Sequence, residues 1–269
     1  MRSILLLILP FLGFSQVSYT TIQLAKDLIE TSGLEVYGEN LITHNDSGDK
    51  SKLYVFNPKG KLIKSVRFHD IKNKDWEDIA ADEDHYYIAD TGNNSGNRKN
   101  LIIYILTKEL IVKGEISISY SAQKDFTKRA LNSFDAEALT VVGDSLVLFS
   151  KNRLTQQSEL YTFPKKAGDY VLSPSAILKV ESLITAADYN QIHDLLALTG
   201  YNFKGEQFFY TVSNFIKNGW NSIVLKKYLI PIEKAQIEAV KIQDISNFWL
   251  TSEGEKNGFA RLIDLKVTQ

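Results

Sequence analysis

The chain has 269 residues, of which 44% are hydrophobic and 11% aromatic; its formal net charge is −1 and it contains no cysteine. This apolar content is sufficient for the core of one domain, whereas the near-neutral charge and the lack of a basic stripe argue against a nucleic-acid partner. The absence of cysteine excludes disulfides and cysteine-linked lipids, so stability must come from packing or from a bound metal.

The first 15 residues have the pattern of a secretory signal peptide. Arg2 supplies a positive end, residues 4–14 form an apolar run, and Gly13 and Ser15 are small residues at the usual cleavage offsets. The run is too short to span a bilayer. We therefore expect a secreted or periplasmic protein without a membrane anchor, whose single mature domain covers residues 16–269.

A pair of short strands recurs five times along the rest of the chain. The first strand of each pair begins at a residue that we call the anchor, and the second strand ends in a polar turn. The five anchors are Ser32, Glu77, Glu137, Thr185 and Glu238. In the fourth repeat the spacing leaves Thr185 and Ala186 as alternatives. Anchor spacings of 45, 60, 48 and 53 residues are typical of a solenoid or a propeller.

Two more strand-like runs follow most of the pairs. In the first repeat they cover residues 53–56 and 62–66. Four antiparallel strands per repeat predict an all-β, five-bladed β-propeller, with six blades as the alternative. Residues 17–25 alternate like a strand, and we expect them to close the ring as the outer strand of the last blade. The protein is expected to be a monomer.

The anchors predict a metal site. The first strand of each blade lines the channel of a propeller, so the five anchors should converge there. Three glutamates in a narrow channel repel one another unless a cation neutralises them. Ca²⁺ accepts six to eight oxygen ligands, whereas Zn²⁺ prefers His or Cys. We predict Ca²⁺ bound by the five anchors, with Mg²⁺ as the second choice; the alternative is that the glutamates pair with lysines or backbone N–H groups.

The polar ends of the second strands predict a small-molecule site at the channel mouth. Asp46 and Asp90 are the candidate catalytic residues. The candidate ligand-binding residues are His44, Asn45, Asn93, Lys151 and Arg153. Ordinary turn chemistry is the alternative explanation, since Asn, Asp and Gly are common wherever strands end.

Two further expectations follow from local sequence. Alternation along the strands predicts that four aspartates near the anchors face away from them. These aspartates are Asp75, Asp78, Asp135 and Asp188. Trp220 lies in a loop-like run at residues 218–221 and is expected to be exposed.

Two resemblances to known families extend this interpretation. The motif DWEDIA at residues 75–80, with ADTGNN at residues 89–94, Arg98 and THNDSG at residues 43–48, resembles a group of secreted bacterial propeller proteins of largely uncharacterised function. The order Ser, Glu, Glu, hydroxyl, Glu of the anchors is more distantly similar to the five-bladed calcium-activated nucleotidases, the apyrases. That resemblance implies a central Ca²⁺ held by one anchor from each blade, and an active-site aspartate at Asp46. The arginine of the apyrase Asp-Asp-Arg-Thr-Gly turn is absent here, and GNN at residues 92–94 replaces the Gly-Lys-Glu-Trp motif.

Three functions remain open at this level. The first is a hydrolase in which Ca²⁺ polarises a phosphate, nucleotide or lactone oxygen while Asp46 or Asp90 activates water. The second is a binding module in which the metal only stabilises the ring. The third is a structural propeller with water along its axis.

Overall fold

The computed structural model describes residues 17–254 and 258–268, and the signal-peptide prediction for residues 1–15 lies outside them. Strand β1 (Val17–Gln23) precedes the first blade. Blade 1 consists of β2 (Thr31–Tyr37), β3 (Asn40–Asn45), β4 (Lys52–Phe56) and β5 (Leu62–Arg67). Blade 2 consists of β6 (Asp78–Ala81), β7 (His85–Asp90), β8 (Leu101–Thr107) and β9 (Val112–Tyr120).

The other three blades repeat this order from the channel outwards. Blade 3 consists of β10 (Ala136–Val142), β11 (Ser145–Ser150), β12 (Ser158–Pro164) and, beyond β13 (Gly168–Leu172), β14 (Ala176–Leu178). Blade 4 consists of β15 (Leu183–Asn190), β16 (Leu195–Tyr201), β17 (Gln207–Ser213) and β18 (Lys226–Ile230). Blade 5 consists of β19 (Ile237–Ile242), β20 (Asn247–Ser252), β21 (Arg261–Val267) and β1. The molecule is an all-β, five-bladed propeller, which confirms the prediction.

The first strand closes the ring. Strand β1 pairs antiparallel with β21, in a register that runs from Val17 opposite Val267 to Gln23 opposite Arg261. The last blade is therefore built from both ends of the described chain. This is the closure that the alternating pattern of residues 17–25 predicts.

One strand departs from the predicted four per blade. Strand β13 pairs in parallel with β9 and so extends blade 2 to five strands. In the sequence, however, it comes between β12 and β14, which both belong to blade 3. The outer edge of a sheet exposes unpaired N–H and C=O groups, and a neighbouring hairpin that reaches them can satisfy them. Strand β13 thereby joins two blades through backbone hydrogen bonds.

The core consists of five layers, each between two neighbouring blades. The layer between blades 1 and 2 contains Trp76, which is fully buried, and the layer between blades 4 and 5 contains Phe209 and Phe248, whose ring centroids lie 4.6 Å apart. The innermost strands pack between two such layers and face the channel, so most of their residues are buried. Within the described residues, helix is limited to α1 (Phe215–Asn218) and a single 3-10 turn (Trp220–Ser222), and no helix is long and apolar enough to cross a membrane.

Candidate metal centre

The anchors share a local irregularity of the backbone. In blades 3, 4 and 5 the pairing of the two innermost strands skips one residue, and the skipped residues are Glu137, Thr185 and Glu238. In blade 1 the shift falls between Ser32 and Glu35. A bulge of this kind twists a strand and redirects the side chain at the bulge. Three of the five anchors are thus bulged residues, whereas Ser32 is paired with His44 just before the irregularity of blade 1.

Three carboxylates from blades 1 and 2 meet at this mouth. Asp46 follows β3, and Asp75 and Glu77 precede β6; each offers one carboxylate oxygen, and the three oxygens lie within 4.8 Å of one another. Glu77 is only 4% exposed, whereas Asp46 and Asp75 are half-buried. We call these three residues the acidic cluster. Within it, the buried Oε1 atom of Glu77 has no hydrogen-bond partner among the described residues.

A second group of carboxylates lies beside the acidic cluster and shares Glu77 with it. Asp135 and Glu137 come within the same distance of Glu77, but both are paired with bases. The Lys151 ammonium contacts Glu137 Oε2, and the Arg153 guanidinium lies 3.2 Å from Asp135 Oδ2 and 3.6 Å from Glu137 Oε1. Two acids therefore face two bases in this ion-paired group.

The acidic cluster lacks such compensation. Within the described residues, no basic side chain forms an ion pair with Asp46, Asp75 or Glu77. Burial, followed by the charges of Glu137 and Asp46, raises the pKa of Glu77 well above its usual value. Burial, with Asp46 and Asp135, raises the pKa of Asp75 to about 6. A cation would remove this repulsion, and oxygen-only ligands suit Ca²⁺ or Mg²⁺.

Asp90, predicted to be catalytic, lies in a buried ion pair beside the acidic cluster. It is 1% exposed, and its Oδ1 atom accepts hydrogen bonds from the Arg98 guanidinium at 2.7 Å and from the Asp75 N–H at 3.1 Å. Arg98 also donates to the carbonyl of Gly92 at 2.6 Å. These contacts connect Asp90 to the backbone of Asp75 and, through Arg98, to the loop that carries Gly92.

The hydroxyl anchors join neighbouring blades. Ser32 Oγ donates to the carbonyl of Glu77 at 2.5 Å, and Thr185 Oγ1 donates to the carbonyl of Ile237 at 2.7 Å. Each innermost strand has an unpaired edge, and its carbonyls need donors when they are buried. Thr185, rather than Ala186, is the bulged residue of blade 4, which resolves the two alternatives for that anchor. The hydroxyl protons of Ser32 and Thr185 are thus used between blades.

The third glutamate anchor has a different environment. Glu238 Oε1 accepts a hydrogen bond from the Gln236 side chain. Burial raises the pKa of Glu238, and the positive charge of Lys151 partly opposes this rise. Glu253, which follows β20, was not among the predicted site residues. Burial and the charges of Glu238 and Asp46 raise its pKa to about 8. The mouth therefore contains a carboxyl group that is protonated near neutral pH.

Four of the five predicted ligand-binding residues are buried in the structure. His44 is 0% exposed, its ring lies edge-on to Trp76 at 5.6 Å, and burial lowers its pKa to about 4. Asn45 donates to the carbonyl of Asp27 and to Asp49, and Asn93 donates to the carbonyl of Phe134. These side chains hold loops in place. Lys151, which is also buried, and Arg153, which is half-buried, lie instead beside the carboxylates.

The expectation that Asp75 and Asp135 face away from the anchors is wrong. Strand alternation does not apply to them, because Asp75 and Glu77 precede β6, Asp135 precedes β10 and Glu137 is a bulged residue. Both carboxylates consequently lie next to Glu77. The repeated Asp-x-Glu spacing, at residues 75–77 and 135–137, was the sequence signal that could have identified them.

The other two aspartates do lie away from the mouth, further along the channel. Asp78 accepts hydrogen bonds from the N–H groups of Ile79 at 2.8 Å, Leu139 at 2.8 Å and Ala187 at 3.3 Å, so one carboxylate connects blades 2, 3 and 4. Blades 2 and 4 are not neighbours in the ring, which means that Asp78 reaches across the channel. A separate buried network links the Lys241 ammonium to Glu35 at 2.6 Å and to Asp188 at 2.9 Å.

The fold and the site together define the class: a five-bladed β-propeller with an uncompensated acidic cluster at one channel mouth. No protein-family model matches the chain, and no curated protein matches it. Solved structures that are similar include U3-55K, with 10% identity, a TM-score of 0.40 and coverage of 88% of this chain and 67% of that one. A chain of the Mitotic Checkpoint Complex has 8% identity, a TM-score of 0.46 and coverage of 91% and 77%.

A third similar structure is a quinonprotein alcohol dehydrogenase-like protein from Bacteroides thetaiotaomicron. It has 13% identity and a TM-score of 0.43, and the match covers 73% of this chain and 45% of that one. These likenesses concern the propeller architecture alone, because identities this low do not extend to the residues of a site. The function must be argued from the site itself.

Proposed function

We propose that the protein is a secreted Ca²⁺-binding propeller that hydrolyses a phosphate ester, nucleotide or lactone at its channel mouth. The observation that carries the proposal is the buried, unpartnered Oε1 atom of Glu77 within a cluster of three carboxylates. An ionised buried carboxylate without a partner is unfavourable. A hard divalent cation would be a suitable partner, because the neighbouring carboxylates of Asp46 and Asp75 can bind the same ion.

The ligand set differs in part from the five anchors. Glu77 remains in it, and Asp46 and Asp75 join it, because these three oxygens lie close together and carry no competing base. Ca²⁺ fits better than Mg²⁺, since Mg²⁺ demands near-ideal octahedral geometry whereas Ca²⁺ tolerates an irregular set of carboxylates and waters. Extracellular Ca²⁺ sites commonly bind with dissociation constants of about 10⁻⁴–10⁻³ M, so a three-carboxylate site matches the secreted location that residues 1–15 predict.

The hydrolase hypothesis assigns roles to the residues around the cluster. Bound Ca²⁺ would supply a Lewis acid for a phosphoryl or carbonyl oxygen. Asp46 would orient and deprotonate a water molecule on the outer side of the cluster. Arg153, half-buried beside it, would bind an anionic group of the substrate. Glu253, with its pKa raised to about 8, would donate a proton to the leaving group.

The first experiment is thermal unfolding of the mature protein in EGTA and then in excess Ca²⁺. Ca²⁺ at a hundred times its dissociation constant should stabilise the folded state by about 2.7 kcal/mol, which corresponds to a rise in Tm of roughly 5–10 °C. Glu77→Gln should remove this rise, while Glu115→Gln, an exposed acid on the outer part of blade 2, should keep it. A wild-type protein that shows no rise, and no Ca²⁺ binding by calorimetry, would refute the proposal.

A second pair of variants separates the acidic cluster from the ion-paired group. Asp46→Asn should weaken Ca²⁺ binding by about tenfold or more, because it removes one anionic ligand. Asp135→Asn should have a smaller effect, since Asp135 is already paired with Arg153. If Asp135→Asn abolished binding and Asp46→Asn did not, the ion would lie in the ion-paired group and the proposed ligand set would be wrong.

Turnover assays decide between the hydrolase and a non-catalytic binding module. A nucleoside diphosphate, 4-nitrophenyl phosphate and a γ-lactone would be assayed with Ca²⁺ and with EGTA. The hydrolase hypothesis expects Ca²⁺-dependent turnover that, at Ca²⁺ concentrations saturating for both proteins, falls at least about a hundredfold in Asp46→Asn, the lower range for loss of general base catalysis. Ca²⁺ binding without turnover on any of the three would favour the binding module, in which the metal stabilises the ring and the mouth loops recognise a ligand.

A further inference from the structure

The face opposite the acidic mouth carries a groove that the proposed function does not use. It lies beneath blades 2, 3 and 4, where the hairpin turns of the inner strands emerge. Two adjoining cavities of about 640 Å³ and 470 Å³ form it, and they share Gly143, Tyr189 and Gln191. Together they exceed the upper end of about 1,000 Å³ for a typical small-molecule pocket. We call this feature the lower groove.

One half of the lower groove is apolar and firmly held. Its wall is formed by Trp220, Ile216 and Tyr189. Trp220, expected to be exposed, is instead half-buried, with its ring edge-on to Phe215 at 5.0 Å. Asp194 fixes this wall, because its carboxylate accepts hydrogen bonds from the N–H groups of Ile216 and Lys217 and from the Tyr189 hydroxyl.

The other half of the groove is acidic. It is lined by Asp82, Glu83, Asp84 and Asp144, and the only base among its lining residues is Lys165, which lies 2.9 Å from Asp82. Glu83, Asp84 and Asp144 are exposed. Three exposed carboxylates consequently line this half of the groove, where Lys165 is paired with Asp82, and Lys217 lines the apolar half.

We propose that the lower groove binds a basic peptide segment that carries one large apolar side chain. The apolar half would take the large side chain against Trp220 and Ile216, and the acidic half would take neighbouring Lys or Arg residues. Charge complementarity of this kind sets orientation and excludes acidic partners. The size of the groove favours a chain of several residues over a small cation.

The test is a selection from a phage-displayed library of random dodecapeptides on the mature protein, followed by fluorescence anisotropy with the enriched peptides. We expect enriched peptides to combine Lys or Arg with an aromatic or large aliphatic residue. Their dissociation constants should rise at least about tenfold in Glu83→Lys/Asp144→Lys, since like charges then face each other. Ile216→Ser should also raise the dissociation constants of these peptides.

The control variant is Glu115→Lys/Asp169→Lys, which makes the same charge change on exposed residues at the outer edge of blade 2. It should leave the dissociation constants unchanged, and EGTA should leave them unchanged as well. Failure to enrich any peptide, enrichment of acidic or purely apolar peptides, or equal binding to the two charge-reversed variants would each overturn the proposal. Loss of binding in EGTA would place the peptide at the acidic mouth and overturn it too.

Discussion

Gly92 is the residue on which the geometry of the acidic cluster depends most directly. A Cβ atom at this position would lie 1.9 Å from Glu77 Oε1 and 2.5 Å from the Asp75 carboxyl carbon, so both carboxylates would have to move. Neighbours that position metal ligands typically change affinity by about 10–100-fold when they are mutated. Gly92→Ala should therefore weaken Ca²⁺ binding at least about tenfold, as measured by calorimetric titration.

The matched control for this prediction is Gly114→Ala. Gly114 lies in β9, where a new Cβ would meet only the Ala167 side chain at 3.3 Å. Its Ca²⁺ affinity should equal that of the wild type. If Gly92→Ala bound Ca²⁺ equally well, the ion would not lie between Glu77 and Asp75.

The raised carboxyl pKa values predict how stability depends on pH in the absence of Ca²⁺. Asp75 titrates at about 6 and Glu253 at about 8, above their ordinary values of 3.8 and 4.5. Between the ordinary and the raised pKa of each group, the folded state holds more protons than the unfolded state. The free energy of unfolding therefore falls as pH rises through that range. The contribution of these two groups is complete below about pH 4 and is lost as pH rises through about 6 for Asp75 and about 8 for Glu253.

Denaturant unfolding in EGTA at pH 5 and pH 8 measures this effect. Asp75→Asn/Glu253→Gln imitates the protonated forms, so the double variant should lose less stability than the wild type between the two pH values. Ca²⁺ affinity of the wild type should rise over the same interval, because Ca²⁺ competes with the proton on Asp75. Identical pH profiles for the two proteins would show that these carboxyl groups do not titrate in this range.

At the scale of the elements, Asp78 is the residue that ties three inner strands together. Its three N–H donors come from blades 2, 3 and 4, and a buried N–H without an acceptor costs about 1–3 kcal/mol. Asp78→Ala should lower the free energy of unfolding by about 3 kcal/mol or more, measured in urea. The exposed Asp84→Ala should change it by less than about 0.5 kcal/mol. A loss in Asp78→Ala no larger than that control would mean that the three N–H groups find other acceptors.

The elements were largely predictable from sequence, for a physical reason. Each blade repeats the same order of an anchor, an apolar strand and a polar turn, and strands next to each other in sequence pair with each other. Strand β1 was predictable from its alternation, although its partner lies at the other end of the chain. Strand β13 was not, because its pairing depends on which sheet edge is within reach and leaves no periodic signal.

The site was predictable only in part. Glu77, Glu137 and Asp46 were identified, and all three lie at the mouth. The sequence could not show that Ser32 and Thr185 donate to carbonyls of the next blade, since those carbonyls belong to distant residues. Nor could it show that Lys151 pairs with Glu137, which decides where negative charge remains uncompensated.

At the scale of the whole molecule, ring closure depends on β1. Deleting residues 1–16 leaves the register with β21 intact, whereas deleting residues 1–23 removes all seven paired residues of β1. The longer deletion should therefore expose the outer edge of blade 5 and make it sensitive to protease, with a lower Tm. The shorter deletion should match the mature protein in both measurements. Equal protease resistance of the two truncations would show that the ring does not need β1.

The antiparallel register of β1 with β21 also determines how the propeller responds to mechanical force. Val17 and Val267 are partners at one end of the ladder, and Gln23 and Arg261 are partners at the other. A force that pulls the two ends of the chain apart loads the hydrogen bonds one after another, like the teeth of a zipper, instead of shearing all of them at once. The closed ring of five blades is thus least resistant to a force that pulls the two ends of the chain apart.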